Sequence, residues 1–159
     1  ALDPVFIGLG LKDRQLHFMG KKELFDKAIV GYLFKKVNGF PVARGTVDTK
    51  SLDYAARIVK EGHVLGIFPE GTRSKDGEIH NFKAGAFLLA KDAGVPILPI
   101  VLDGTTTMIK GGFWMNWKNR ITIKVLPPIS AEDVEQRSVK EIMAEVHEAM
   151  VSTLASIRK

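Results

Sequence analysis

The sequence contains no cysteine, which excludes disulfide staples and thiolate chemistry. No apolar run approaches the roughly 20 residues that a membrane-spanning helix needs, and no signal peptide is visible. Gly-x-Ser-x-Gly is absent, so nothing marks a serine nucleophile on a strand-to-helix elbow. Gly66-x-x-x-x-Gly71-Thr72 has the glycine spacing of a phosphate-binding P-loop but lacks the lysine after the second glycine. Pro69 and Glu70 would also remove an N–H and add negative charge where a triphosphate needs donors, which argues against nucleotide binding. The cations are not interleaved with stacking aromatics, and no helix-turn-helix or oligonucleotide-binding pattern emerges, which argues against nucleic acid as a partner.

What is present describes a folded chain of one domain's length. With 45% apolar and 26% charged residues over 159 positions, it can bury a substantial core. The net charge of +5 is concentrated between residues 12 and 36, where Lys12, Arg14, Lys21, Lys22, Lys27, Lys35 and Lys36 face only Asp13, Glu23 and Asp26. A localised basic excess by itself points to an anionic partner: nucleic acid, a phospholipid surface or a phosphorylated substrate.

Helical and extended patterns alternate along the chain without repeats. Asp3-Pro4 reads as a helix start ahead of 5–11, and 15–20 as a strand. Residues 21–37 read as a helix with Phe25, Ile29, Tyr32 and Leu33 on its apolar side, stopped by Asn38-Gly39. A short strand at 40–42, a helix at 49–61 stopped by Gly62 and a buried strand at 63–68 follow. The pattern then predicts a helix over 83–92 closed by Gly94, and a strand over 95–102 that Pro96 and Pro99 confine to an edge or bulge. Residues 121–125 alternate, and Ser138-x-x-Glu141 is a capping box before a last helix striped by Ile142, Val146, Ala149, Met150, Thr153 and Ile157. Strands separated by helix-length segments predict an α/β fold: a single domain over 1–159, with a mostly parallel or mixed sheet flanked by helices.

The most informative segment is Phe68-Pro69-Glu70-Gly71-Thr72-Arg73-Ser74, at the end of the 63–68 strand. Gly71 lets the backbone approach a ligand, Arg73 offers a planar fork matched to phosphate oxygens, and Glu70 can accept hydrogen bonds from a polyol. An ordinary solvated turn carrying a surface arginine is the alternative for such a heptad met alone.

The segment does not stand alone. Gly39-Phe40-Pro41-Val42-Ala43-Arg44 precedes it, and Phe82-Lys83-Ala84-Gly85-Ala86 and Val95-Pro96-Ile97-Leu98-Pro99-Ile100 follow. This ordered set resembles the glycerolipid acyltransferase family, whose best-known members are 1-acyl-sn-glycerol-3-phosphate acyltransferases. The resemblance runs from about residue 3 to residue 102; the strand and helix within 121–158 carry no signature of it. The family's first motif is a histidine, four residues and an aspartate. Asp3 stands where that aspartate belongs, so the histidine is expected upstream of Ala1. None of His17, His63, His80 and His147 has an aspartate five residues on. Without that histidine the chain as written is expected to be inactive.

The resemblance implies transfer of a fatty acyl group from acyl-CoA or acyl-carrier protein to a hydroxyl of a lysophospholipid, with lysophosphatidate, glycerol 3-phosphate and other lysolipids open as acceptors. It implies no metal or redox cofactor. Asp3 would orient the histidine that takes the hydroxyl proton, with a helix cap as its alternative role. Arg44 and Arg73 would hold the phosphate, although Arg44 taken singly is an ordinary surface residue. Glu70 and Gly71 would meet the glycerol backbone or support the loop, Thr72 would donate to the phosphate, and Lys83 would add charge or cap the loop. Lys21 matches a family lysine, with a solvated face as the equal alternative. Phe25, Ile29 and Leu33 are candidates for an acyl groove or a contact with an anionic bilayer, with ordinary core packing as the alternative. Trp114 and Trp117 suggest an exposed aromatic loop at a membrane surface. The implied setting is membrane-associated, on the cytoplasmic face. A non-catalytic module that binds lysophospholipid remains the alternative function.

Overall fold

A computed structural model describes residues 7, 15–21, 25, 32, 38–42, 49–71, 76–105, 109–110, 114–115 and 120–159. The chain divides into two compact units, 1–67 and 68–159. Of the expected sites, Asp3, Ile29, Leu33, Arg44, Thr72, Arg73 and Trp117 lie outside the described residues.

The first unit is built on a parallel sheet of β1 (Leu16–Lys21), β2 (Gly39–Val42) and β3 (Val64–Gly66), in the order β2-β1-β3. β1 is central, and Leu16, His17 and Phe18 are buried in succession, as befits a strand covered on both faces. Phe18 lies opposite Gly66, and its ring fills the space that a Cβ on Gly66 would need. Helix α1 (Thr49–Lys60) packs on β2 and β3. Ser51, Ala55 and Ile58, at helical spacing, turn inward, and the Ser51 hydroxyl donates to the Pro41 carbonyl at 3.1 Å. Ile7, Phe25 and Tyr32 have helical backbone, the rest of 5–11 and of 22–37 lies outside the described residues, and Lys21 closes β1 and so starts no helix.

The second unit contains α2 (Gly85–Ala93), β4 (Ile100–Asp103), β5 (Ile109–Lys110), β6 (Trp114–Met115), β7 (Thr122–Val125), α3 (Ala131–Gln136) and α4 (Val139–Ile157). β4 pairs antiparallel with β7, and an isolated Ile97–Ile129 bridge extends that pairing past Pro99. The continuous strand expected over 95–102 is therefore a bridge followed by a strand. Pro99, which has no N–H to give, contributes only its carbonyl, to the Leu126 N–H at 3.0 Å. β5 and β6 pair antiparallel with Lys110 opposite Trp114, so Trp114 stands in a short strand where an open loop was expected. Phe87, Ile129, Val134, Ile142 and Val146 form one core cluster; Val101, Leu126 and Leu154 form a second, and Met150 packs against both. Leu154, one position past the expected Thr153, completes the buried stripe of α4.

The α/β class and the parallel sheet stand as expected from the sequence. Among the described residues no helix is long and apolar enough to cross a membrane.

Candidate active site

β1, β2 and β3 run in the same direction, so their carboxyl ends share one edge, where open α/β sheets bind ligands. Lys21 is the last residue of β1, opposite Val42, the last of β2. Two residues beyond Val42 in the sequence is Arg44.

In the second unit, residues 68–71 close a tight turn in which the Gly71 N–H donates to the Phe68 carbonyl at 3.0 Å. Gly71 holds φ at +67°, a left-handed conformation that favours glycine. The turn is tied to the next motif by the Lys83 N–H, which donates to the Pro69 carbonyl at 2.8 Å. The Lys83 side chain lies over Gly71, with Nζ 3.4 Å from the place a Cβ would occupy. The structure thus brings together Glu70, Gly71 and Lys83, three of the residues the sequence singles out.

Glu70 is half-buried, and its Oε2 atom is enclosed with no hydrogen-bond partner among the described residues. Burial pushes its carboxyl above the usual value; the His80 backbone N–H and the nearby His80 imidazole pull it back, Asp76 adds to the rise, and His147 opposes it. A carboxylate held this way can accept a donor that arrives with a ligand. Sequence reasoning missed Asp76, His80 and His147 as its surroundings. His80 Nε2 pairs with Asp76 Oδ1 at 3.0 Å, and the Glu78 N–H donates to the same oxygen at 3.0 Å. The His147 ring meets Phe82 edge-on, with centroids 4.9 Å apart, and its Nε2 is also enclosed without a partner among the described residues. Only the Phe82-Lys83 motif hinted at this neighbourhood; His147 comes from α4, 77 positions after Glu70, and no local pattern announces it.

Among the described residues no group of three or more histidine and carboxylate side chains is placed to hold a metal ion. Phe25 is half-buried.

A sequence profile of the Acyltransferase family matches residues 1–103. The chain belongs to the glycerolipid acyltransferase family. It is 30% identical over 149 residues to a 1-acyl-sn-glycerol-3-phosphate acyltransferase of Bacillus subtilis, covering 94% of this chain and 72% of that protein. A protein of the same description from Streptococcus pneumoniae is 32% identical over 139 residues, covering 84% of this chain and 51% of its own length. The chain thus spans about half of several curated relatives it matches, the Limnanthes douglasii protein (51%) among them. The crystal structure of the 1-acyl-sn-glycerophosphate (LPA) acyltransferase PlsC from Thermotoga maritima superposes with a TM-score of 0.71 at 26% identity, covering 93% of this chain and 68% of that one. The protein is accordingly an acyltransferase of α/β fold, and the turn at 68–71 with Lys83 lies inside the family match.

Proposed function

We propose that this acyltransferase moves a fatty acyl group from a thioester, on coenzyme A or acyl-carrier protein, to the free hydroxyl of 1-acyl-glycerol 3-phosphate, giving phosphatidic acid. The observation that carries this reading is the identity of 30% to the Bacillus subtilis protein, which is described by that activity. In the reaction the acyl carbon–sulfur bond breaks as the hydroxyl oxygen bonds to the acyl carbon, and the hydroxyl proton ends on the departing thiolate.

An alcohol at neutral pH needs a base, and the role assigned to Asp3 is to orient the family's histidine for that step. Arg44 and Arg73 are the proposed phosphate ligands, with Thr72 and Lys21 beside them in role. Two guanidiniums serving one phosphate repel each other until it binds, so the pair is suited to anion recognition rather than to stability. Glu70 is proposed to accept a hydroxyl of the glycerol backbone. Its enclosed, unpaired Oε2 supports this role, because a buried acceptor without a donor is costly and an incoming hydroxyl relieves that cost. Gly71 and Lys83 keep the turn in shape and add positive charge. Under the same proposal Phe25, Ile29 and Leu33 line the acyl path, Trp114 and Trp117 touch an anionic membrane surface, and residues 1–159 act as one acyltransferase domain on the cytoplasmic face of the membrane. The chemistry requires no metal or redox cofactor.

The test is synthesis of phosphatidic acid by the purified full-length protein from lysophosphatidate and an acyl thioester. Arg73→Ala is expected to raise the KM for lysophosphatidate while leaving that for the thioester nearly unchanged. Equal loss on an acceptor without phosphate would overturn the role of Arg73. Binding of lysophosphatidate with no turnover on either donor would instead favour a non-catalytic lipid-binding module.

A further inference from the structure

Arg158 caps the carboxyl end of α4, 55 residues beyond the end of the family match, and no motif includes it. Its guanidinium makes four hydrogen bonds to two separate segments. Nε and Nη2 donate to Asp103 Oδ1, at 3.2 and 2.9 Å, where β4 ends. Nη1 donates to Glu78 Oε1 at 2.6 Å, and Nη2 also donates to the Gly77 carbonyl at 2.6 Å. A single exposed ion pair carries little weight, but a planar fork that grips a backbone carbonyl and two carboxylates fixes a position.

What it fixes is the turn that follows the acceptor-binding motif. Within that turn Asp76 Oδ1 receives the Glu78 N–H and pairs with the His80 ring. His80 in turn lies close enough to Glu70 for its backbone N–H and imidazole to favour the charged carboxylate. A chain of direct bonds therefore runs from Arg158 through Glu78 to Asp76 and His80, and His80 adjoins Glu70. Residues 72–75, with Arg73 among them, are the sequence between Gly71 and this anchored turn.

We propose that Arg158 is a positioning residue of the acyltransferase site, holding the 76–80 turn so that Glu70 meets the acceptor. This rests on the acceptor-binding reading above. The relevant readouts are acceptor affinity and local order, and a merely structural clamp would move global stability instead.

The experiment compares the full-length protein with Arg158→Gln, Arg158→Lys and Glu78→Gln. Direct binding of lysophosphatidate is measured by calorimetry, and backbone hydrogen exchange is followed at residues 76–80. Arg158→Gln should weaken lysophosphatidate binding about tenfold and speed exchange across the turn, with thioester binding unchanged. Arg158→Lys should recover part of the loss, since it keeps the charge but not the fork. Glu78→Gln reports on the same clamp from the loop side, should Arg158→Gln fail to fold. Unchanged exchange at 76–80 would show that Arg158 does not hold the turn, and faster exchange with unchanged lysophosphatidate affinity would show that the turn does not serve the acceptor. Either outcome overturns the proposal. Failure of the proposed reaction is read separately: a wild-type protein that binds lysophosphatidate but transfers no acyl group contradicts the activity and leaves the role of Arg158 to the binding data.

Discussion

The side chain of Lys83 lies across Gly71, its Cδ 3.3 Å and its Nζ 3.4 Å from the point where a Cβ would sit. Two costs would meet an alanine there. Its backbone would be held at φ +67°, and the lysine would have to shift. The lysine is flexible and gives way cheaply, so the backbone dominates, at about 1–2 kcal/mol for a residue with a Cβ in the left-handed region. Gly71→Ala is therefore expected to lower stability in urea by about 1 kcal/mol. Adding Lys83→Ala should recover almost none of that loss; full recovery would place the cost in the contact and not in the backbone.

Glu70 makes a prediction of opposite sign for activity and stability. Its carboxyl titrates above the usual value because burial penalises the charge, so the folded state holds the proton more tightly than the unfolded chain. Its contribution to stability thus falls as pH rises through the ordinary carboxylate range toward the folded value, and stays lower above it. Glu70→Gln carries no charge to bury. At pH 7 it should be at least as stable as wild type by thermal denaturation, while kcat/KM falls about tenfold or more from the loss of a charge-assisted hydrogen bond to the acceptor. A mutant that keeps full activity would reduce Glu70 to a turn residue.

Local signals in the sequence were legible where neighbouring residues decide the outcome. The Ser138–Glu141 box forms as read, with both reciprocal hydrogen bonds, and Gly94 closes α2 at φ 64°. Short α3 escaped notice although Ser130 and Asp133 cap it in a similar way, because six residues are too few to show a period. The strand over 95–102 is shorter than its apolar run: it starts at Ile100, and before Pro99 only the Ile97–Ile129 bridge forms, because the prolines offer no N–H to a ladder. The candidate site shows the same division. The turn with Glu70, Gly71 and Lys83 was readable from its residue types, but the environment of Glu70 depends on His147, which only tertiary folding brings to it.

His17 sits in the middle of β1, only 8% exposed, its ring centroid 5.3 Å from that of His63 and both ring nitrogens without a partner among the described residues. Burial lowers its pKa below the ordinary value and His63 lowers it further, while Glu61 pulls the other way. The folded state therefore resists protonation that the unfolded chain accepts. The stability contributed by neutral His17 is complete above its ordinary value of 6.5 and is lost as pH falls below that toward the folded value. Thermal midpoints should drop between pH 7.5 and pH 5.5, and His17→Leu should flatten that part of the profile. An unchanged slope in the mutant would assign the acid sensitivity to other groups.

Lys91 of α2 closes the end of α3 from outside the helix. Its Nζ donates to the carbonyls of Arg137 at 2.6 Å, Glu135 at 2.7 Å and Val134 at 3.3 Å. These carbonyls lie at the helix end, where no intrahelical N–H reaches them, and the ammonium also complements the negative end of the helix dipole. Lys91→Met keeps the apolar stem and removes only the donors, so the loss isolates the capping bonds. It should destabilise the second unit by about 1–2 kcal/mol, the lower part of the range for hydrogen bonds to a charged group because Lys91 is only half-buried. The nearby ion pair between the Arg137 and Glu145 side chains serves as the control, since Glu145 is exposed, Arg137 is partly exposed, and neither side chain satisfies a helix end. Glu145→Gln should leave the urea midpoint where it is. If both substitutions cost the same, the effect at Lys91 is general surface charge and not the capping of α3.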